Sequence, residues 1–202
     1  MMPSYKLIYF NGKGRAECLR LLFKLKGVEF EDKRVEIADW ASVKPTLPFG
    51  QAPVLEVDGK QLPQGKAIAR YLAREFDLLG KDSWGQAIGD AVVEAITDLS
   101  KLFWEFYMVK DADKKAKESK KFAENVAPGH LSNIEKFLTG NVFLTGDDVS
   151  MFDIDLAVQL EFMVGLIPDI LTPYPKLLAL YNRVNAIPQL AEWIAKRPDT
   201  PF

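Results

Sequence analysis

The chain has 202 residues, 48% of them hydrophobic, which is ample for one globular unit or two small ones. Its 26 Lys and Arg against 28 Asp and Glu leave a formal charge of −2, which argues against nucleic acid or an anionic membrane surface as partner. No stretch approaches the ~20 apolar residues that span a bilayer, no signal-peptide core opens the chain, and the one cysteine suits a reducing compartment, so a cytoplasmic location is expected.

Tyr5-Lys6-Leu7-Ile8-Tyr9-Phe10 has strand character, and Asn11-Gly12-Lys13-Gly14 follows it as a turn. From Arg15 the apolar positions Leu19, Leu22, Phe23 and Leu25 fall at helical spacing, with Lys24 and Lys26 in the last turn and Gly27 as the stop. A second strand is expected over Glu29 to Val35, then a polar loop carrying Trp40 and Lys44, then a strand over Pro53 to Val57. Asp58-Gly59 is a hairpin signal into Lys60-Gln61-Leu62. A further helix carries Ile68, Tyr71 and Leu72 on one face, with Ala67, Ala69 and Ala73 favouring it. The βαβ-ββα order resembles a thioredoxin-like domain. A thiol oxidoreductase of that fold would carry a Cys-x-x-Cys pair in the first loop, whereas Cys18 stands alone inside the first helix and reads as a small buried hydrophobe.

Strand patterning ends at Asp77 to Ser83, a short stretch around Gly80 that reads as a linker. Ile88, Val92, Ile96, Leu99, Phe103 and Phe106 then recur at helical steps, and a second helix is expected from about Lys114 through Phe122, Val126, Ile134 and Phe137. The Lys-rich run from Lys110 to Lys121 is interrupted by Asp111, Asp113 and Glu118 and reads as a solvated face. Ser150-Met151-Phe152-Asp153 has the form of a capping box, and Pro168, Pro173, Pro175, Pro188 and Pro198 punctuate the later helices. The expected organisation is a thioredoxin-like domain over residues 1–76, a linker over 77–83 and an all-helical domain over 84–202.

Several motifs in order and spacing carry a family resemblance: Tyr9-Phe10-Asn11-Gly12-Lys13-Gly14-Arg15-Ala16-Glu17, Asp39-Trp40 with Lys44, Gln51-Ala52-Pro53-Val54, Ala67-Ile68-Ala69-Arg70-Tyr71-Leu72, the capping box, and the terminal Arg197-Pro198-Asp199-Thr200-Pro201-Phe202. Over nearly its whole length the chain resembles the sigma-class glutathione transferases, including their haematopoietic prostaglandin D synthase branch.

The resemblance implies a glutathione transferase fold, with α/β and all-α domains and glutathione as co-substrate. Tyr9 would donate a hydrogen bond to the glutathione sulfur, and Arg15 would add positive potential nearby. Trp40 and Lys44 would hold the glycyl end, and Gln51 and Gln64 the amide and carboxylate groups. Pro53, as a cis proline, would turn the Ala52 main chain toward the cysteinyl amide. Gly65 stands where the family usually has serine, so one hydrogen bond to the γ-glutamyl carboxylate is lost, worth about 1.5–3 kcal/mol. Asp98 aligns with a family acid that reaches the γ-glutamyl ammonium in the other subunit, which implies a homodimer. Thr97 and Glu94 depart from the acids that hold a divalent ion in the prostaglandin synthase branch, and His130 is the sole histidine, so no metal is expected.

The pocket for a hydrophobic electrophile is expected to draw on Phe10, Gly12, Lys13, Ser100, Trp104, Tyr107 and Phe202. Gly12, where the synthase has an apolar residue, leaves that wall open and favours general, detoxifying conjugation. Two other readings stand beside it: glutathione-dependent prostaglandin D synthase-type isomerisation, and a non-catalytic ligand carrier or lens crystallin of the same lineage. Gly65 favours the last; an intact Tyr9 opposes it.

Overall fold

The structure, a computed structural model, describes residues 3–140 and 142–200. They form two compact units, one of residues up to Leu78 together with those from Ile187 onward, the other Leu79–Ala186.

The first unit runs β1 (Tyr5–Phe10), α1 (Glu17–Lys26), β2 (Glu31–Val35), α2 (Trp40–Val43), β3 (Val54–Val57), β4 (Lys60–Pro63) and α3 (Gly65–Glu75). The sheet order is β2-β1-β3-β4, with β1 parallel to β2 and the other neighbours antiparallel. A parallel pair needs a long crossover, which α1 supplies, whereas β3 and β4 join through the two-residue Asp58-Gly59 turn. This is the expected thioredoxin-like order.

Gly27 ends α1 at φ 64°, with its N–H on the Lys24 carbonyl and the Val28 N–H on that of Phe23, a left-handed cap that glycine adopts at little cost. The start of α1 differs from expectation. Gly14, at φ 38°, lies outside right-handed helical geometry, so a tight turn over Gly14–Ala16 precedes the helix. The expected polar loop is also more helical than its composition suggests. Trp40, Val43 and Leu47 recur at helical spacing and pack toward Ile8, Val35 and Val54, which winds this segment into short turns.

The second unit contains α4 (Ser83–Tyr107), α5 (Ala112–Lys121), α6 (Ala127–Glu135), α7 (Met151–Leu166) and α8 (Pro175–Asn185). Residues 151–158 of α7 are all buried, as befits a helix apolar on every side, and α4 and α8 pack against it. Contact between α4 and α7 is close at Gly89, where a β-carbon would fall 2.3 Å from Phe152 Cδ2. The capping box forms as expected. Asp153 Oδ2 accepts from the Ser150 N–H at 2.9 Å, and Oδ1 accepts from the Leu144 N–H at 2.7 Å.

The single helix expected from Lys114 through Phe137 is instead α5, a widened turn over Phe122–Val126, and α6. Pro128, in the first turn of α6, has no N–H to continue the ladder, and the break lets Phe122 reach Phe103 and Phe106 at 5.8 and 5.2 Å between centroids.

After α8 the chain returns to the first unit as α9 (Pro188–Lys196), which packs against α1 with Leu190 buried and the Lys24 ammonium 5.0 Å from the Trp193 ring. By its contacts this last segment groups with the first unit. No helix among the described residues is long and apolar enough to cross a membrane, and none of them form a cluster of three or more His, Cys, Asp or Glu able to hold a metal.

Candidate functional site

β1 carries Tyr9 into the loop that precedes α1, where the side chain is buried. The main-chain N–H of Arg15 donates to Tyr9 Oη at 3.1 Å. That contact uses an acceptor lone pair of the phenol, so the hydroxyl hydrogen is left to be donated elsewhere. The Arg15 side chain is exposed. Its role visible in the fold is therefore the main-chain one.

Across from this loop, the first residue of α3 comes close. A β-carbon built on Gly65 would lie 3.4 Å from the Arg15 carbonyl oxygen and 3.5 Å from Pro53 Cγ, which are ordinary contacts. Tyr9, Arg15, Pro53 and Gly65 therefore gather around one spot from four separate segments. The Ala52–Pro53 peptide is cis, as expected. Gln64 is the N-cap of α3 at φ 77° and makes no side-chain capping bond, and the positive end of the helix dipole favours a carboxylate there.

Trp40 tilts against Phe10 at 4.8 Å between centroids and also packs onto the Ile8–Val35–Leu47–Val54 cluster, so its indole supports the fold as well as lining a surface. Lys44 is exposed and its stem crosses Gly50, with Cε 3.4 Å from where a β-carbon would sit. Gln51 and Gln64 are exposed, Ala52 and Lys13 half-buried, and Gly12 buried. Tyr9 and the start of α3 thus place a hydroxyl donor and the positive end of a helix dipole near the same spot, while Lys44 lies on a separate segment beside Gly50.

In the second unit, the expected residues lie on α4. Asp98 is exposed and pairs with Lys101 at 2.8 Å, and the hydrogen bond and charge of that ammonium hold its carboxyl below the usual carboxylate range. Ser100, expected to line a pocket, is buried and donates to Gln159 Oε1 at 2.8 Å, which ties α4 to α7. Trp104 meets Tyr107 and Phe162 edge-on at 4.9 and 5.0 Å, and Tyr107 stacks on Phe103 at 5.4 Å. Phe202 lies outside the described residues.

Sequence reasoning passed over a charged network under Tyr9. Arg20 bonds Glu17 and Asp32, Arg34 bonds Asp32, and Glu17 Oε1 accepts from the Trp193 indole at 2.8 Å and from Arg197 at 3.0 Å. The available signal was Glu17 and Arg20 three apart on a helix face otherwise filled by Ala16, Leu19 and Phe23. Opposite charges at that spacing on an apolar face are a buried pair.

Comparison with known proteins bears on the family and the fold. The family model described as glutathione S-transferase, N-terminal domain, matches residues 5–74, and that of the C-terminal domain matches residues 97–197. A haematopoietic prostaglandin D synthase of Gallus gallus is 44% identical, covering 98% of this chain and 99% of its own length. S-crystallin SL11 of Nototodarus sloanii is 39% identical, with both chains covered in full. Among solved structures, rat hPGDS complexed with a quinoline superposes with a TM-score of 0.89 at 41% identity, covering 99% of this chain and 100% of that one. The chain belongs to the glutathione S-transferase family, whose co-substrate is glutathione.

Proposed function

We propose that the protein is a cytoplasmic, sigma-class glutathione transferase that joins the glutathione thiolate to hydrophobic electrophiles in detoxification, with Tyr9 as the hydrogen-bond donor to the sulfur. A free thiol of this kind titrates near 8.5, and only the thiolate attacks. A neutral phenol aimed at the sulfur favours the anion through a charge-assisted hydrogen bond. The observation that carries the reading is the Arg15 N–H on Tyr9 Oη, which occupies the oxygen and leaves the proton for the sulfur. Arg15 adds positive potential. Holding thiolate and electrophile together supplies the rest of the acceleration.

Within this reading, Trp40, Lys44, Gln51, Ala52, Gln64 and the start of α3 bind the tripeptide. Phe10, Gly12, Lys13, Trp104, Tyr107 and Phe202 recognise the electrophile. Asp98 serves the γ-glutamyl ammonium of a partner subunit in a homodimer; its pair with Lys101 is fully exposed and easily exchanged. Residues 1–76 form the glutathione-binding domain, and 77–83 the linker to the helical one. The likeness to prostaglandin D synthases supports a second reading, glutathione-dependent isomerisation of prostaglandin H2, and that to S-crystallin supports a third, a lineage member with decayed catalysis.

The test is turnover of a chromogenic aryl halide by wild type and Tyr9→Phe. A wild-type rate about tenfold or more above the variant is expected; equal rates favour the carrier. Product analysis with prostaglandin H2 separates the isomerase.

A further inference from the structure

Behind the Tyr9 ring lies a buried arginine that the proposed chemistry does not use. Arg20 is fully buried in α1. Its Nη1 donates to the Gly12 carbonyl at 2.6 Å and to Glu17 Oε2 at 3.0 Å, and its Nε bonds both oxygens of Asp32 at 3.1 Å. Nη2 has no hydrogen-bond acceptor among the described residues, and the guanidinium carbon lies 6.0 Å from the Tyr9 ring centroid, within cation–π reach.

Burying a guanidinium is costly even when it is paired, and apolar side chains of similar volume often serve stability as well. What Arg20 touches explains its place better than stability does. The Gly12 carbonyl anchors one end of the loop whose other end delivers the Arg15 N–H to Tyr9 Oη. The same cation faces the ring of that tyrosine. Glu17 and Asp32 hold the guanidinium from two sides, and Glu17 is itself gripped by Trp193 and Arg197.

We infer that Arg20 is a positioning residue for Tyr9: it fixes the Gly12–Arg15 loop and the ring so that the phenolic hydrogen meets the sulfur. This rests on the reading of Tyr9 given above. Arg20→Lys keeps the charge and loses the fork that reaches Gly12, Glu17 and Asp32 together. It is expected to lower kcat/KM for the aryl halide by about tenfold. The ionisation of bound glutathione, followed by thiolate absorbance, should move to higher pH, while its Kd by calorimetry stays within about threefold.

The deciding measurement is the double variant. In a Tyr9→Phe background, Arg20→Lys should change the rate by less than about twofold, because the group it acts through is gone. Should Arg20→Lys fail to fold, Asp32→Asn, which leaves an acceptor for Nε, takes its place with a smaller effect in the same direction and the same loss of effect beside Tyr9→Phe. Losses that multiply in the double variant, or a slower enzyme with unchanged thiol ionisation, overturn the inference and leave Tyr9 intact. A Tyr9→Phe enzyme as fast as wild type overturns both.

Discussion

A β-carbon on Gly14 would lie 2.5 Å from the Tyr9 hydroxyl oxygen, closer than any real contact of that kind, so the absence of a side chain at residue 14 is what lets the phenol dock against the loop. The glycine also holds φ 38°, which a side chain adopts at a cost of about 1–2 kcal/mol. Gly14→Ala is expected to displace the hydroxyl and lower kcat/KM about ten- to hundredfold, since misplacement by an ångström has that effect. Steady-state kinetics together with a thermal melt check this. An active variant with only a lowered melting temperature would contradict it.

Gly65 is a glycine for no backbone reason, because its φ is not in the left-handed region and an added β-carbon makes only ordinary contacts with Arg15 and Pro53. Serine therefore fits. Gly65→Ser should restore a hydroxyl donor at the start of α3 and tighten glutathione binding about ten- to hundredfold, equivalent to about 1.5–3 kcal/mol for a bond to a charged group. Calorimetry on the two proteins reads this directly, and equal dissociation constants would remove the hydroxyl from the account of affinity.

Burial pushes the Asp153 carboxyl above its ordinary value, against the opposing pull of hydrogen bonds from Ser150 and Leu144. Relative to the unfolded chain, folding thus shifts this carboxyl toward its neutral form. Its contribution to stability is complete below the unfolded value of about 3.9 and is lost as pH rises through the higher folded value. Asp153→Asn abolishes the titration and replaces one acceptor oxygen by a donor, leaving at least one of the Leu144 and Ser150 N–H groups unmatched at a cost of about 1–3 kcal/mol. Urea melts should show the gap between wild type and variant larger below about pH 3.9, where the contribution is complete, than near neutral pH. A gap independent of pH would count against the raised carboxyl.

Much of this molecule is legible locally. The β1 run, the Gly27 stop, the Asp58-Gly59 hairpin and the Ser150–Asp153 box each depend on residues a few positions apart, so their hydrogen bonds are already implied by spacing. The resemblance in the Tyr9, Pro53 and Gln64-Gly65 segments likewise directs attention to positions that the fold gathers. Ser100 was less legible. An apolar helix face does not say whether a hydroxyl on it meets a ligand or, as here, Gln159 on a helix 59 residues away.

By itself, then, the sequence determined the strands, most of the helices, their order and the family resemblance, because periodicity, turn chemistry and capping act over one or two turns of chain. Tertiary structure alone decided that Arg15 meets Tyr9 through its main chain, that the break between α5 and α6 brings Phe122 into an aromatic cluster, and that α9 returns to grip Glu17 from 176 residues away. Those outcomes depend on which buried polar groups and rings find partners in space. No short-range pattern encodes that choice, because the cost of an unpaired buried group is felt only when the distant segments have met.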